Sequence, residues 1–155
     1  MITIIKNISI ILILLLVDQL TKVYFINYFH QESVNYVNIF PFLNFVYVKN
    51  TGISFGLFNG YEYSHIIFTT INIIISSVIF YLIFFKKNSK LDKISFILIF
   101  SGAIGNIVDR IRLGYVYDFI DIYIGSYHWP AFNIADSLVV IGAIILLISN
   151  FKKDN

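Results

Sequence analysis

Asp109, Asp118, Asp121 and Asp136 are the residues of this chain best suited to chemistry, because they are carboxylates set in or beside runs of apolar sequence. Two carboxylates held close together in such surroundings cannot both ionise easily. One keeps a proton with a raised pKa while the other stays charged. That is the arrangement by which an aspartic protease activates water with one group and supplies a proton with the other. Asp18 has a basic companion at Lys22, spaced i, i+4 with the acid first, the favourable order for an ion pair on one helical face. Asp109 is followed by Arg110 and Arg112, whereas Asp118, Asp121 and Asp136 have no basic neighbour in sequence. From the residues alone, any two of Asp109, Asp118, Asp121 and Asp136 could form the pair. A structural pairing of Asp109 with one of the two arginines is expected.

These acids belong to three polar islands: Asp18-Gln19-Leu20-Thr21-Lys22, Gly102 to Arg110, and Phe132-Asn133-Ile134-Ala135-Asp136. The elements that must position them are membrane helices. The chain has 155 residues, 58% of them hydrophobic and 13% charged, with a mean hydropathy of +0.81; a soluble domain carries about 25% charged residues. Apolar runs at about 4–29, 63–85, 94–111 and 134–151 are read as four transmembrane helices in a single membrane domain. Seven of the nine lysines, at positions 6, 86, 87, 90, 93, 152 and 153, fall on one side of these runs. By the positive-inside rule that side and both termini are cytoplasmic, and segments 30–62 and 112–133 are extracytoplasmic. Within the latter, 33–47 and 116–124 are rich in aromatic and β-branched residues and read as strands of a small sheet. At about 1.5 Å per helical residue, Lys22, Asp109 and Asp136 each lie roughly 24 Å from the lysine that marks the inner end of their helix, near the outer edge of a hydrocarbon core about 30 Å thick.

Phase adds to depth. Asn106 shares a helical face with Asp109 and Arg110, Asn133 shares one with Asp136, and Gly102, Ala103 and Gly105 allow a neighbouring helix to come close. Asn72, Ser76 and Ser77, which have no charged companions, read as interhelical hydrogen-bonding groups. Other chemistries are disfavoured. Cysteine is absent, removing disulfides and thiolate chemistry. A net charge of +2 does not point to nucleic acid. Glu62 and His65 have the spacing of a di-iron ligand pair, but in one copy where two are needed. No metal site or cofactor is expected. The first apolar run has no small-residue cleavage site, and Asp18-Gln19 interrupts it where one would fall, so it reads as a retained helix.

With these residues in view, the chain resembles the bacterial lipoprotein signal peptidases (signal peptidase II), a family of aspartic peptidases. Asp18 to Lys22 resembles the family's D-Q-x-[ST]-K box, and Asn50 to Gly56 its N-x-G-x-x-[FW]-[GS] segment. Ser101 to Arg110 resembles G-G-A-x-G-N-x-x-D-R, Val116 to Phe119 resembles V-x-D-F, and Pro130 to Asp136 resembles P-x-F-N-x-A-D. Ser101 in place of a glycine, Lys49 where arginine is common, and Ile53-Ser54 in place of Ala-Ala are departures that touch substrate packing.

The resemblance implies an intramembrane aspartic endopeptidase that cleaves before the diacylglyceryl-modified cysteine of a prolipoprotein, with Asp118 and Asp136 as the catalytic pair. It implies that Asn50 and Gly52 bond the substrate backbone and that Asn106, Arg110 and Asn133 order the site. Asp18 and Lys22 would brace the first helix, Asp109 would pair with an arginine, and Asp121 would be a solvated or structural acid. The expected partners are diacylglyceryl-modified prolipoproteins, membrane lipids and globomycin-type inhibitors, acting on a monomer in the bacterial inner membrane with its site at the outer face. Two other readings compete: a small ion-coupled transporter or channel subunit, which predicts midplane acids and a repeat, and a non-enzymatic assembly factor.

Overall fold

Long apolar stretches bounded by polar and glycine signals build four helices, and the aromatic segments between them build a sheet. The computed structural model describes residues 2–52 and 63–152. Helix α1 runs Ile2–Glu32 and leads into strands β1 (Tyr36–Phe40) and β2 (Leu43–Asn50). Helices α2 (Ser64–Phe85) and α3 (Lys90–Leu113) come next, then strands β3 (Val116–Ile124) and β4 (Tyr127–His128), and helix α4 (Ile134–Phe151). Each helix is long and apolar enough to span a bilayer. Large side chains such as Leu12, Leu16, Ile74 and Leu147 are exposed on the outer surfaces, an arrangement suited to lipid tails. The residues before α2 that complete the Asn50–Gly56 segment, and Glu62 of the Glu-x-x-His spacing, lie outside the described residues.

Helix α3 is the centre of the bundle. In its apolar window 56% of residues are buried, against 17% in each of the other three helices. It extends beyond the expected 94–111 because its ends are capped by polar groups that hydropathy does not register. The Ser89 side chain accepts from the Asp92 backbone N–H, and Gly114, at φ 79°, closes the C-terminus with its N–H on the Arg110 carbonyl. Small residues make the centre thin. An added Cβ at Gly102 would lie 2.2 Å from the Ala135 carbonyl oxygen, and at Gly142 2.7 Å from Ile99. Helices α3 and α4 therefore meet nearly backbone to backbone. Helix α2 contributes less polar bonding than expected. Ser77 Oγ donates to the Ile73 carbonyl of its own helix at 2.8 Å, because a serine can bond back four residues without a partner helix.

The sheet has strand order β1-β2-β3-β4, antiparallel throughout. Pro41-Phe42 connects the first pair and Gly125-Ser126 the last, with Gly125 at φ 61°. Because side chains alternate along a strand, β3 has two functional faces. Tyr117 and Phe119 bury against Phe25 and Phe29 of α1, with Phe25 and Phe119 stacked at 4.7 Å. Asp118, between them in sequence, points to the opposite face. This aromatic packing clamps the sheet on the outer end of α1.

Candidate active site

Lys22 is the hub of the polar network. It is 2% exposed, and a buried ammonium of this kind is tolerated only when its three donors are matched. They are: Nζ lies 3.0 Å from Asp18 Oδ2, 2.8 Å from Asp109 Oδ2 and 3.1 Å from Asn106 Oδ1. Each of these three partners reaches on to an element that carries the site. Asp18 Oδ1 accepts from the Ala135 backbone N–H at 2.9 Å, fixing the start of α4. Asp109 Oδ2 accepts from the Tyr117 N–H at 3.3 Å, fixing the start of β3. Asn106 Nδ2 donates to Asp136 Oδ1 at 2.8 Å.

Asp109 thus pairs with Lys22, and the expected pairing with an arginine is corrected. Asp109 and Arg110 are adjacent in sequence, so their side chains leave the helix about 100° apart. Arg110 turns instead to the Gly52 carbonyl, with Nη2 donating at 2.8 Å, and Arg112 Nη1 donates to Gln19 Oε1 at 3.3 Å. Gln19 was not among the anticipated site residues although it lies in the first polar island. Its Nε2 donates to the Gly105 carbonyl at 3.2 Å and to Asp109 Oδ1 at 3.0 Å, fastening α1 to α3.

Asp121 does not share a site with the other carboxylates. It lies on the face of β3 opposite to Asp118, is buried, and accepts from Asn44 Nδ2 at 2.8 Å and from His128 Nδ1 at 2.9 Å. It is a structural acid, not a solvated one.

Asp118 and Asp136 remain, and Asn133 joins them. Asn133 caps α4: its Oδ1 accepts from the Asp136 N–H at 2.9 Å, and its own N–H donates to Asp136 Oδ2 at 3.3 Å, a reciprocal capping box. The Asn133 Nδ2 donates to Asp118 Oδ1 at 2.6 Å. Asn50 Nδ2 donates to Asp118 Oδ2 at 3.0 Å, while Asn50 Oδ1 accepts from the Gly52 N–H at 3.0 Å. Burial, followed by the nearby Asp136 carboxylate, pushes the Asp118 carboxyl up to about 7; the amide donors of Asn50 and Asn133 and the charge on Lys22 act against this. Asp118 is therefore poised to hold a proton close to neutral pH.

Two clefts open beside this pair. One, of about 400 Å³, is bounded by Asn50, Asp118 and Asp136 and walled by Trp129, Phe132 and Val140. The other, of about 250 Å³, adjoins Asn50 and Asp136 and is lined by Asn72, Asn106, Arg110 and Val139. In Arg110, Nε and Nη1 are buried and have no hydrogen-bond partner among the described residues. Among the described residues no cluster of His, Cys, Asp and Glu could hold a metal ion. The arrangement offers two neighbouring carboxylates, fixed amide donors and a guanidinium next to a mostly apolar cleft.

Known proteins share this chain's sequence and shape. The family described as signal peptidase (SPase) II matches residues 10–152. The chain is 42% identical over 147 residues to a lipoprotein signal peptidase of Thermodesulfovibrio yellowstonii, covering 95% of each protein. It is 41% identical over 145 residues to that of Syntrophus aciditrophicus, covering 91% of this chain and 89% of the relative. A bacterial membrane enzyme structure obtained by the in meso method at 2.3 Å resolution superposes with a TM-score of 0.81 at 33% identity, covering 97% of this chain and 90% of that one. The chain is a multi-pass membrane protease and belongs to the signal peptidase II family.

Proposed function

We propose that this chain removes signal peptides from prolipoproteins by cleaving the peptide bond before a diacylglyceryl-modified cysteine, with Asp118 and Asp136 as the catalytic pair. The observation that carries the proposal is Asn133. It bonds both carboxylates at once and leaves them facing a common apolar cleft. At rest the pair shares one proton, carried by Asp118. Asp136 takes a proton from water, whose oxygen attacks the scissile carbonyl, while Asp118 donates its proton to the carbonyl oxygen. Collapse of the tetrahedral intermediate breaks the C–N bond: the proton held by Asp136 passes to the leaving cysteine nitrogen, and one hydroxyl of the intermediate returns its proton to Asp118 as the new carboxyl forms. No covalent enzyme intermediate forms.

The other polar groups bind and orient. The Arg110 N–H groups without a partner among the described residues are suited to substrate backbone carbonyls, because a buried donor without an acceptor is costly until one arrives. Asn50, whose Nδ2 already donates to Asp118, has a second amide hydrogen for the same use. The diacylglyceryl group stays in the bilayer, beside the lipid-facing helices. The lysine distribution supports an orientation with both termini in the cytoplasm and the sheet and active site at the outer face of the bacterial inner membrane. A globomycin-type lipopeptide is expected to compete for the same cleft.

The test is cleavage of a diacylglyceryl-modified prolipoprotein by purified protein, followed as a mobility shift on a gel. Wild type and Asp121→Asn should cleave, whereas folded Asp118→Asn and Asp136→Asn should not. Cleavage by either of the latter two at the wild-type rate would remove that aspartate from the mechanism.

A further inference from the structure

One polar string crosses the whole sheet on the face away from Asp118, with one residue from each strand. Asn38 Nδ2 of β1 donates to Asn44 Oδ1 of β2 at 3.0 Å, and Asn44 Nδ2 donates to Asp121 Oδ2 of β3 at 2.8 Å. Asp121 in turn accepts from His128 Nδ1 of β4, which is 2.9 Å from both of its carboxylate oxygens. A second path closes the circuit: Asn38 Nδ2 also donates to the Tyr123 hydroxyl at 2.9 Å, and the Tyr123 ring stacks on His128 at 5.0 Å and 14°.

The mechanism uses neither Asp121 nor His128. A buried carboxylate that accepts three polar contacts is an expensive way to close a two-residue edge strand. Its purpose lies in the segment just after His128. Trp129 and Phe132 wall the 400 Å³ cleft in which Asp118 and Asp136 sit, with Pro130 and Ala131 between them. The same two aromatic residues border a second hollow that His128 and Tyr123 line from the other side. The backbone ties this arch at its ends, with the Trp129 N–H on the Ile122 carbonyl at 2.7 Å and the Phe132 N–H on the Ile120 carbonyl at 3.0 Å. Proline removes a donor from the middle, so the arch itself has less backbone support than a regular strand.

From this we infer that His128, held by Asp121, is a positioning residue that sets the Trp129–Phe132 wall against the catalytic carboxylates and thereby tunes substrate binding. The inference rests on the proteolytic reading above. The neutral ring carries its proton on Nδ1, since Asp121 can only accept there, and Nε2 is left toward solvent. Among the described residues no nucleophile bonds the ring to complete the pair, so its role is to hold the wall and not to react. Asparagine places an amide N–H close to where histidine places Nδ1–H, so it is the conservative replacement.

Trp129 is the chain's one tryptophan, so the wall carries its own fluorescent reporter. The experiment uses full-length protein in lipid–detergent micelles, comparing wild type, His128→Ala and His128→Asn by acrylamide quenching of Trp129 and by kcat and KM on a diacylglyceryl-modified prolipoprotein. His128→Ala should make Trp129 more accessible to acrylamide and raise KM about 3- to 10-fold with kcat within about twofold, the signature of lost binding without lost chemistry. His128→Asn should restore both readings. The inference is overturned if His128→Ala leaves either the quenching or KM at the wild-type value, or if kcat alone falls. It is equally overturned if His128→Asn behaves like His128→Ala. Absence of cleavage by wild type would instead defeat the proteolytic reading, and the quenching comparison would still decide whether His128 holds the wall. The half-exposed side chain of His128 on an edge strand makes both variants compatible with folding.

Discussion

Lys22 Nζ lies 3.1 Å from the amide oxygen of Asn106, and this contact decides which end of that amide faces Asp136. With the oxygen held by an ammonium, the nitrogen is committed to Asp136. Lys22 touches neither Asp118 nor Asp136 in any hydrogen bond, yet it orients one and helps hold the backbone that carries each.

Removing the hub should therefore cost stability before it costs chemistry. Lys22→Met keeps length and apolar packing but leaves Asp18 and Asp109 buried without a cation. Breaking a buried pair from one side costs about 3–5 kcal/mol. We expect a large drop in the thermal unfolding midpoint in micelles. The drop should be smaller when Lys22→Met is introduced into an Asp109→Asn background, because one orphaned charge has gone. Equal losses in both backgrounds would show that the Lys22–Asp109 contact of 2.8 Å carries no stabilisation.

Asn106→Asp tests orientation more locally. The new carboxylate keeps an acceptor for Lys22 but turns an oxygen toward Asp136 where a donor had been. A lost donor at a reacting group lowers kcat by about 10²–10³-fold in well-studied cases. We expect kcat to fall by at least about tenfold while Tm changes little, read by substrate-saturated cleavage rates and a melt of the same sample. A variant with wild-type kcat would show that the 2.8 Å bond from Asn106 to Asp136 does not matter to turnover.

Much of this arrangement was legible in the sequence because the bilayer imposes a severe constraint. A carboxylate or ammonium inside an apolar run stands out, and helix rise placed Lys22, Asp109 and Asp136 at one depth. The Asp18–Lys22 pair was readable from i, i+4 spacing and is present at 3.0 Å. The strands were readable from aromatic and β-branched runs, broken by Asn and Pro41 in 33–47 and bounded by Gly114 and Gly125 in 116–124. What could not be read was choice among partners in three dimensions. Asp109 has two arginines close by in sequence, but its partner is a lysine 87 positions earlier on another helix. Asp118 and Asp121 look equivalent in sequence, and only the strand's alternation puts them on opposite faces. Gln19 and the Trp129–Phe132 wall were invisible for the same reason: their roles come from what the fold sets beside them.

Close approach of α3 to α4 gives a steric prediction. A methyl group at Gly102 would stand 2.2 Å from the Ala135 carbonyl oxygen and 2.9 Å from Val139 Cγ2. The backbone atom cannot swing away, so α4 must shift and carry Asp136, one residue after Ala135, with it. Overpacking of this kind costs about 1–3 kcal/mol. Gly102→Ala should lower both Tm and kcat, and a second substitution Val139→Ala should recover little, since the clash with the main chain persists. Full recovery by Val139→Ala would mean that the side chain, not the backbone, sets the helix separation.

Activity should fall on the alkaline side of neutrality. Asp118, on β3 outside the spanning helices, has its carboxyl raised to about 7 by burial and by Asp136. In the proposed mechanism it keeps the proton for the carbonyl oxygen below that value and loses it above, so kcat/KM should decline as pH rises through about 7. The amide donors of Asn50 and Asn133 favour the charged form. Asn50→Ala removes one of them and should move this limb to higher pH, even as substrate binding weakens. The same shift has a sign for stability. An acid whose folded pKa is raised gives its full stabilisation below the unfolded value of about 3.9 and loses it as pH rises to the folded value. Unfolding midpoints should therefore decline between about pH 4 and pH 7, and Asp118→Asn should flatten that slope. A wild-type limb near pH 4, or an unfolding slope unchanged in Asp118→Asn, would place the shared proton elsewhere.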